Sequence, residues 1–146
     1  MQRPRQYLDE IYAGQLDIGS DQLMRFFADV YRDLGGATFL EFGGGPAIYS
    51  IISAARSSGS IYFVDACLLC LEEVRMWRDN DPNSFCWSEF TSSALRHEAG
   101  GLSAPSEEEV RIRNTLVRSK IAVVAQCDAF HSDPLFADLP NKYGVV

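Results

Sequence analysis

Three consecutive glycines and two aspartates are the residues of this chain best placed to do chemistry. Gly43, Gly44 and Gly45 follow the apolar run Phe39, Leu40 and Phe42 and precede Pro46, which reads as a strand, a tight turn and a helix start. Glycine has no Cβ, so it permits positive φ and lets a ligand lie against bare backbone. Asp65 closes the β-rich run SIYFV at 60–64, and Asp128 follows the apolar run IAVVA at 121–125. Three strands thus end in a glycine turn and two carboxylates. In an open parallel sheet, ligands bind beyond the carboxyl ends of the strands where the strand order reverses, so these groups point to one crevice. The plainer alternatives are a flexible connection for the glycines and a helix-capping or turn role for Asp65.

Spacing narrows the ligand. Asp65 lies 22 residues after Gly43, close to the roughly 20 expected for a carboxylate that accepts ribose hydroxyls. A dinucleotide fingerprint also needs a third glycine for close helix packing and free N–H groups for a pyrophosphate. Here Pro46 removes one donor and Ile48 stands where the last glycine would be, which disfavours NAD. S-adenosylmethionine carries ribose and adenine without phosphate, and its sulfonium suits a nearby carboxylate such as Glu41. The residues favour that ligand.

The elements that must position these groups are legible as periodicities. Tyr7, Leu8, Ile11 and Tyr12 predict a short amphipathic helix. Ser20 is a suitable N-cap for a second, with Leu23, Phe26, Phe27, Val30 and Leu34 inward, ended by Gly35 and Gly36. A strand over 37–42, the glycine turn, a helix from Pro46 to about Arg56 and the strand at 60–64 make a βαβ unit with parallel strands and a right-handed crossover. Leu68, Leu71, Val74 and Trp77 predict a helix over 67–78, and residues 85–98 a less regular one. Ser106 and Glu109 form a capping box for a helix running to about Ser119. The run at 121–125 reads as a strand covered on both faces. Residues 142–146 look like the start of a fourth strand. The expectation is one α/β domain over 1–146, with 1–36 as an N-terminal helical cap.

Composition excludes other classes. The chain has 146 residues, 47% apolar and 23% charged, as in ordinary globular domains. A formal charge of −7 and no cluster of Lys and Arg argue against nucleic acid or an anionic membrane as partner. No apolar stretch approaches the roughly 18 residues of a membrane span, and the polar opening MQRPRQYLDE suggests a cytosolic protein. The four cysteines are then read as reduced thiols. Cys67 and Cys70 form a CxxC after a strand, but with no second CxxC and with His97 and His131 each standing alone, the sequence argues against metal or redox chemistry.

The chain also resembles the small-molecule N-methyltransferases that act on nicotinamide, phenylethanolamine and indolethylamine. The matching stretches are YLDEIY (7–12), EFGGGPAIYSIISA (41–54), the Asp65 region, FCWSEF (85–90), EEEVRIRNTLV (107–117), QCDAFHSDPL (126–135) and DLP (138–140). The resemblance implies a Rossmann-like class I S-adenosylmethionine-dependent methyltransferase fold, its parallel sheet truncated after the fourth strand. It implies that Tyr7 and Tyr12 close over the methionine end of the cofactor. Gly43, Gly44 and Tyr49 would line the carboxylate and sulfonium side, Asp65 would hold the ribose, and Asp128 with the backbone of Ala129 would meet the adenine. No residue is nominated as a general acid or base. The acceptor would be a small amine or a pyridine such as nicotinamide.

The family usually has Ser or Thr where Gly44 and Ala47 stand and Asn where Cys70 sits, and its sheet has seven strands. The acceptor is bound largely by segments after the fourth. A second reading is therefore a truncated, catalytically silent module that binds cofactor or a partner, the partner covering the edge of the final strand.

Overall fold

The structure, a computed structural model, describes residues 3–135. The strand expected at 142–146 lies outside them. The elements are the helices α1 (Pro4–Tyr12) and α2 (Ile18–Val30), the strand β1 (Thr38–Phe42), two 3₁₀ turns (Tyr49–Ile51 and Ala54–Arg56), β2 (Ser60–Asp65), α3 (Leu68–Arg78), α4 (Ser88–Glu98), α5 (Glu107–Lys120) and β3 (Ile121–Gln126).

The strands form one parallel sheet in the order β1-β2-β3. Thr38 pairs with Ser60 and Phe42 with Val64; on the other side Asp65 pairs with Gln126, after a register irregularity between Ile61 and Tyr62. The order does not reverse among the described residues, so the expected crevice is defined by the strand ends alone. Alternation along the strands separates two apolar clusters. Phe39, Ile61, Phe63 and Ile121 face the helices and join the main core with Ile48, Ile51, Ile52, Leu71, Val74 and Trp87. Val64 and Cys127 lie in a smaller cluster on the other face with Leu40, Val123 and Ala125. β3 is only partly buried along most of its length, not covered on both faces as its apolar run suggested.

Three local expectations are corrected. Residues 46–56 form no α-helix. Residues 51–55 are buried on every side, so no solvent-facing stripe exists, and the β-branched Ile48, Ile51 and Ile52 weaken helix propensity. The chain takes 3₁₀ bonds instead, such as Ile51 N–H to Ile48 O at 3.2 Å. α2 is capped by Asp17, whose carboxylate accepts from Ser20 N at 2.8 Å and from its hydroxyl at 2.9 Å, so the helix begins before Ser20. Its buried residues are Met24 and Ala28, while Leu23, Phe26 and Val30 are exposed. The small Ala28 suits the packing of α2 along α4, which outweighs the bulkier apolar stripe. The capping box of α5 is present as read: Glu109 N–H reaches Ser106 Oγ at 3.1 Å and Ser106 N–H reaches Glu109 Oε2 at 2.7 Å.

Candidate functional site

The glycine turn is held by the strand that ends beside it. Gly43 and Gly45 have φ of 74° and 63°, the left-handed region where a side chain is strained. Gly43 N–H continues the ladder to Val64 O at 2.8 Å, and Gly45 N–H donates to Asp65 Oδ2 at 2.7 Å. The other oxygen of Asp65, Oδ1, accepts from Cys67 N–H at 2.7 Å. One carboxylate, 9% exposed, thus ties the β1 turn to the start of α3. Charge-assisted bonds of this kind are worth about 1.5–3 kcal/mol each.

Gly44 is required for a different reason. A Cβ there would run into Phe63 Cζ and sit 2.9 Å from both Phe63 Cε1 and Glu41 Cγ. The Phe63 ring fills the space that a serine or threonine would take. Gly44→Ala should therefore cost about 1–3 kcal/mol by overpacking, read as a lower urea midpoint at unchanged slope. Combined with Phe63→Leu, it should cost less than the sum of the single changes.

The end of β3 joins the same region. Cys127 N–H donates to Asp65 O at 3.0 Å, and the buried Cys127 thiol is pushed up by burial and then by Asp65 and Asp128, against the Gly43 N–H. Both carboxylates therefore lie near one sulfur. Asp128 is partly exposed, and its Oδ1 accepts from Phe130 N–H at 2.9 Å; Ala129 and Phe130 face solvent. Cys127, passed over in the sequence, links the end of β3 to Asp65 through its backbone and directly precedes Asp128. Its only sequence signal was its place directly after the β3 run.

A second group forms at the other end of the turn. The Tyr7 and Tyr12 hydroxyls are 3.4 Å apart, and the Tyr12 ring lies 5.5 Å from that of Tyr49. Burial, followed by the hydroxyls of Tyr7 and Tyr49, pushes the Tyr12 phenol far above its ordinary range, so it stays protonated. Tyr49 enters this group because the 3₁₀ turn after Pro46 folds it back onto α1 and against Phe90. Glu41, on β1 just ahead of the glycines, has its carboxyl pushed up by burial, which the Ser50 hydroxyl partly opposes. Of the predicted residues, Tyr7, Tyr12 and Tyr49 are in ring or hydroxyl contact, Gly43 and Gly44 belong to the turn that Asp65 holds through Gly45, and Asp128 and Ala129 follow Cys127 at the end of β3.

A family model described as the NNMT/PNMT/TEMT family matches residues 2–146. The chain belongs to the NNMT/PNMT/TEMT family. It is similar to the indolethylamine N-methyltransferase of Mus musculus, 27% identical over 139 residues, covering 90% of this chain and 50% of that protein. The nicotinamide N-methyltransferase of Homo sapiens is 26% identical over 141 residues, 92% of this chain and 51% of its own length. The phenylethanolamine N-methyltransferase of Bos taurus is 27% identical over 143 residues, 92% of this chain and 48% of its own. The chain spans about half the length of the curated relatives it matches. The parallel α/β sheet agrees with the Rossmann-like class I methyltransferase fold of the NNMT/PNMT/TEMT family. Among the described residues, no helix is long and apolar enough to cross a membrane.

Proposed function

We propose that this chain binds S-adenosylmethionine across the carboxyl ends of β1, β2 and β3, as the cofactor half of a cytosolic N-methyltransferase acting on a small amine or a pyridine such as nicotinamide. The observation that carries this reading is the Asp65 carboxylate, fixed by two backbone amides beside the glycine turn. A carboxylate has about four lone-pair sites, so two amide bonds leave room for a pair of ribose hydroxyls. Asp128 and the backbone of the exposed Ala129 offer partners for the adenine amine and ring nitrogen. Gly43, Gly44 and Tyr49 line the middle of the site, and Tyr7 and Tyr12 cover its methionine end. Glu41, whose charge is disfavoured by burial, is complementary to a sulfonium.

Bound there, S-adenosylmethionine supplies an electrophilic methyl group. The residues of this chain then contribute position rather than proton transfer: they fix the adenosyl end so that an acceptor lone pair can be aligned with the methyl carbon. The Tyr12 phenol, held protonated, serves as a hydrogen-bonding wall and not as a base.

The test is calorimetric titration of the chain with S-adenosylmethionine, followed by assay of methyl transfer to nicotinamide and to simple amines. Saturable one-site binding with transfer is expected. Binding without transfer would make the chain a silent cofactor-binding or interaction module. Absence of binding would remove the cofactor assignment.

A further inference from the structure

We propose that Asp65, Cys67 and Cys70 form a three-ligand site for a thiophilic divalent cation, Zn²⁺ being the natural fit. In sequence the CxxC pair lacked a second CxxC and any nearby histidine; in the structure the third donor comes from the end of β2. One carboxylate oxygen of Asp65 and the Sγ atoms of Cys67 and Cys70 all lie within 4.8 Å of one another. Tetrahedral ligands on zinc, with Zn–S bonds of about 2.3 Å, stand roughly 3.8 Å apart. The three donors thus need to close by about 1 Å or less, within the reach of side-chain rotation.

The surroundings resemble a prepared site more than a chance cluster. Cys67 Sγ already accepts from Cys70 N–H at 3.3 Å, and Asp65 Oδ1 accepts from Cys67 N–H at 2.7 Å. Backbone donors of this kind orient ligands and tune their basicity in metal centres. Two thiolates with one carboxylate suit borderline-soft Zn²⁺ over Mg²⁺ or Ca²⁺. All three ligands come from one strand–turn–helix, so the site needs no distant segment; because it draws on the Asp65 carboxylate, the metal and the ribose of the proposed cofactor are alternative occupants of that group, not simultaneous ones. A fourth position is left for water or a small ligand. Cys127 lies beside Asp65 but falls outside this set, and Cys86 sits away from it near Arg118.

Binding converts both thiols to thiolates and releases their protons to solvent. The test uses the full chain, reduced and stripped of metal, titrated with Co²⁺ and then with Zn²⁺. A thiolate-to-cobalt charge-transfer band saturating at one ion per chain, and displaced by Zn²⁺, is expected. Cys67→Ser and Cys70→Ser should each weaken Zn²⁺ at least tenfold, measured against a chromophoric chelator, while Cys86→Ser leaves affinity unchanged. The band in the unaltered chain reports thiolate ligation directly, so the proposal does not depend on the variants folding. No charge-transfer band, a band that survives in both serine variants, or loss of the band in Cys86→Ser would overturn it.

Discussion

Asp65→Ala should weaken S-adenosylmethionine binding by more than tenfold, measured by calorimetry. Two losses combine. The ribose hydroxyls lose an ionised acceptor, worth about 1.5–3 kcal/mol per bond, and the Gly45 and Cys67 amides lose the group that fixes them. The second loss bears on the apo protein as well, because both part-buried amides lose a bond to a charged acceptor, each worth up to about 1.5–3 kcal/mol. Asp65→Asn separates the two effects: its remaining oxygen can keep one amide, while the charge that strengthens the ribose bonds is gone. Thermal melting without ligand should therefore fall more in the alanine variant than in the asparagine variant, whereas both should lose cofactor affinity. Unchanged affinity in Asp65→Ala would remove Asp65 from the site.

Arg113→Met should destabilise the fold by about 3–5 kcal/mol, a large part of the 5–15 kcal/mol that typically holds a domain together. Arg113 is 8% exposed and makes a paired contact with Glu98, Nη1 to Oε1 and Nη2 to Oε2, both at 2.7 Å. Its Nη1 also reaches Ile52 O at 3.4 Å, which pins the buried 3₁₀ segment behind the glycine turn. Removing the guanidinium leaves Glu98 in the interior with Arg56 at 3.7 Å as its remaining cation in this cluster. The penalty comes from that stranded charge more than from the lost pair. Arg113→Met combined with Glu98→Leu should consequently recover most of the stability. Urea unfolding of the three variants decides the matter: a loss below about 1 kcal/mol in the single variant would show that the pair is solvated.

What the sequence made legible follows the range of the interactions involved. The capping box of α5 depends on Ser106 and Glu109, three residues apart, and it is present as read. β1 and β2 were legible because their apolar runs are short and bounded by turns, β3 because its apolar run is flanked by polar residues, and the position of Asp65 because it closes one of these runs. The segment after Pro46 was not, since its isoleucines and alanines satisfy a helical pattern while total burial removes the amphipathic constraint that makes such a pattern informative. The inward face of α2 was ambiguous for a related reason: apolar residues lie on two sides, and contact with α4 chose Met24 and Ala28. The place of Cys127 beside Asp65 and Asp128, and the pairing of Arg113 with Glu98, come from segments brought together by topology, which no local spacing encodes.

The pairing of the strands also sets an order of assembly. Thr38 meets Ser60 across 22 positions, but Ile61 meets Ile121 across 60, with three helices in between. Closing the longer loop costs more chain entropy and is the slower event. The β1–β2 pairing that sets the glycine turn beside Asp65 is thus expected to form before β3 brings Asp128 alongside. On the adenosyl site proposed above, a ligand that touches both strand ends would stabilise this longer-range pairing, because it binds fully only once the pairing is made.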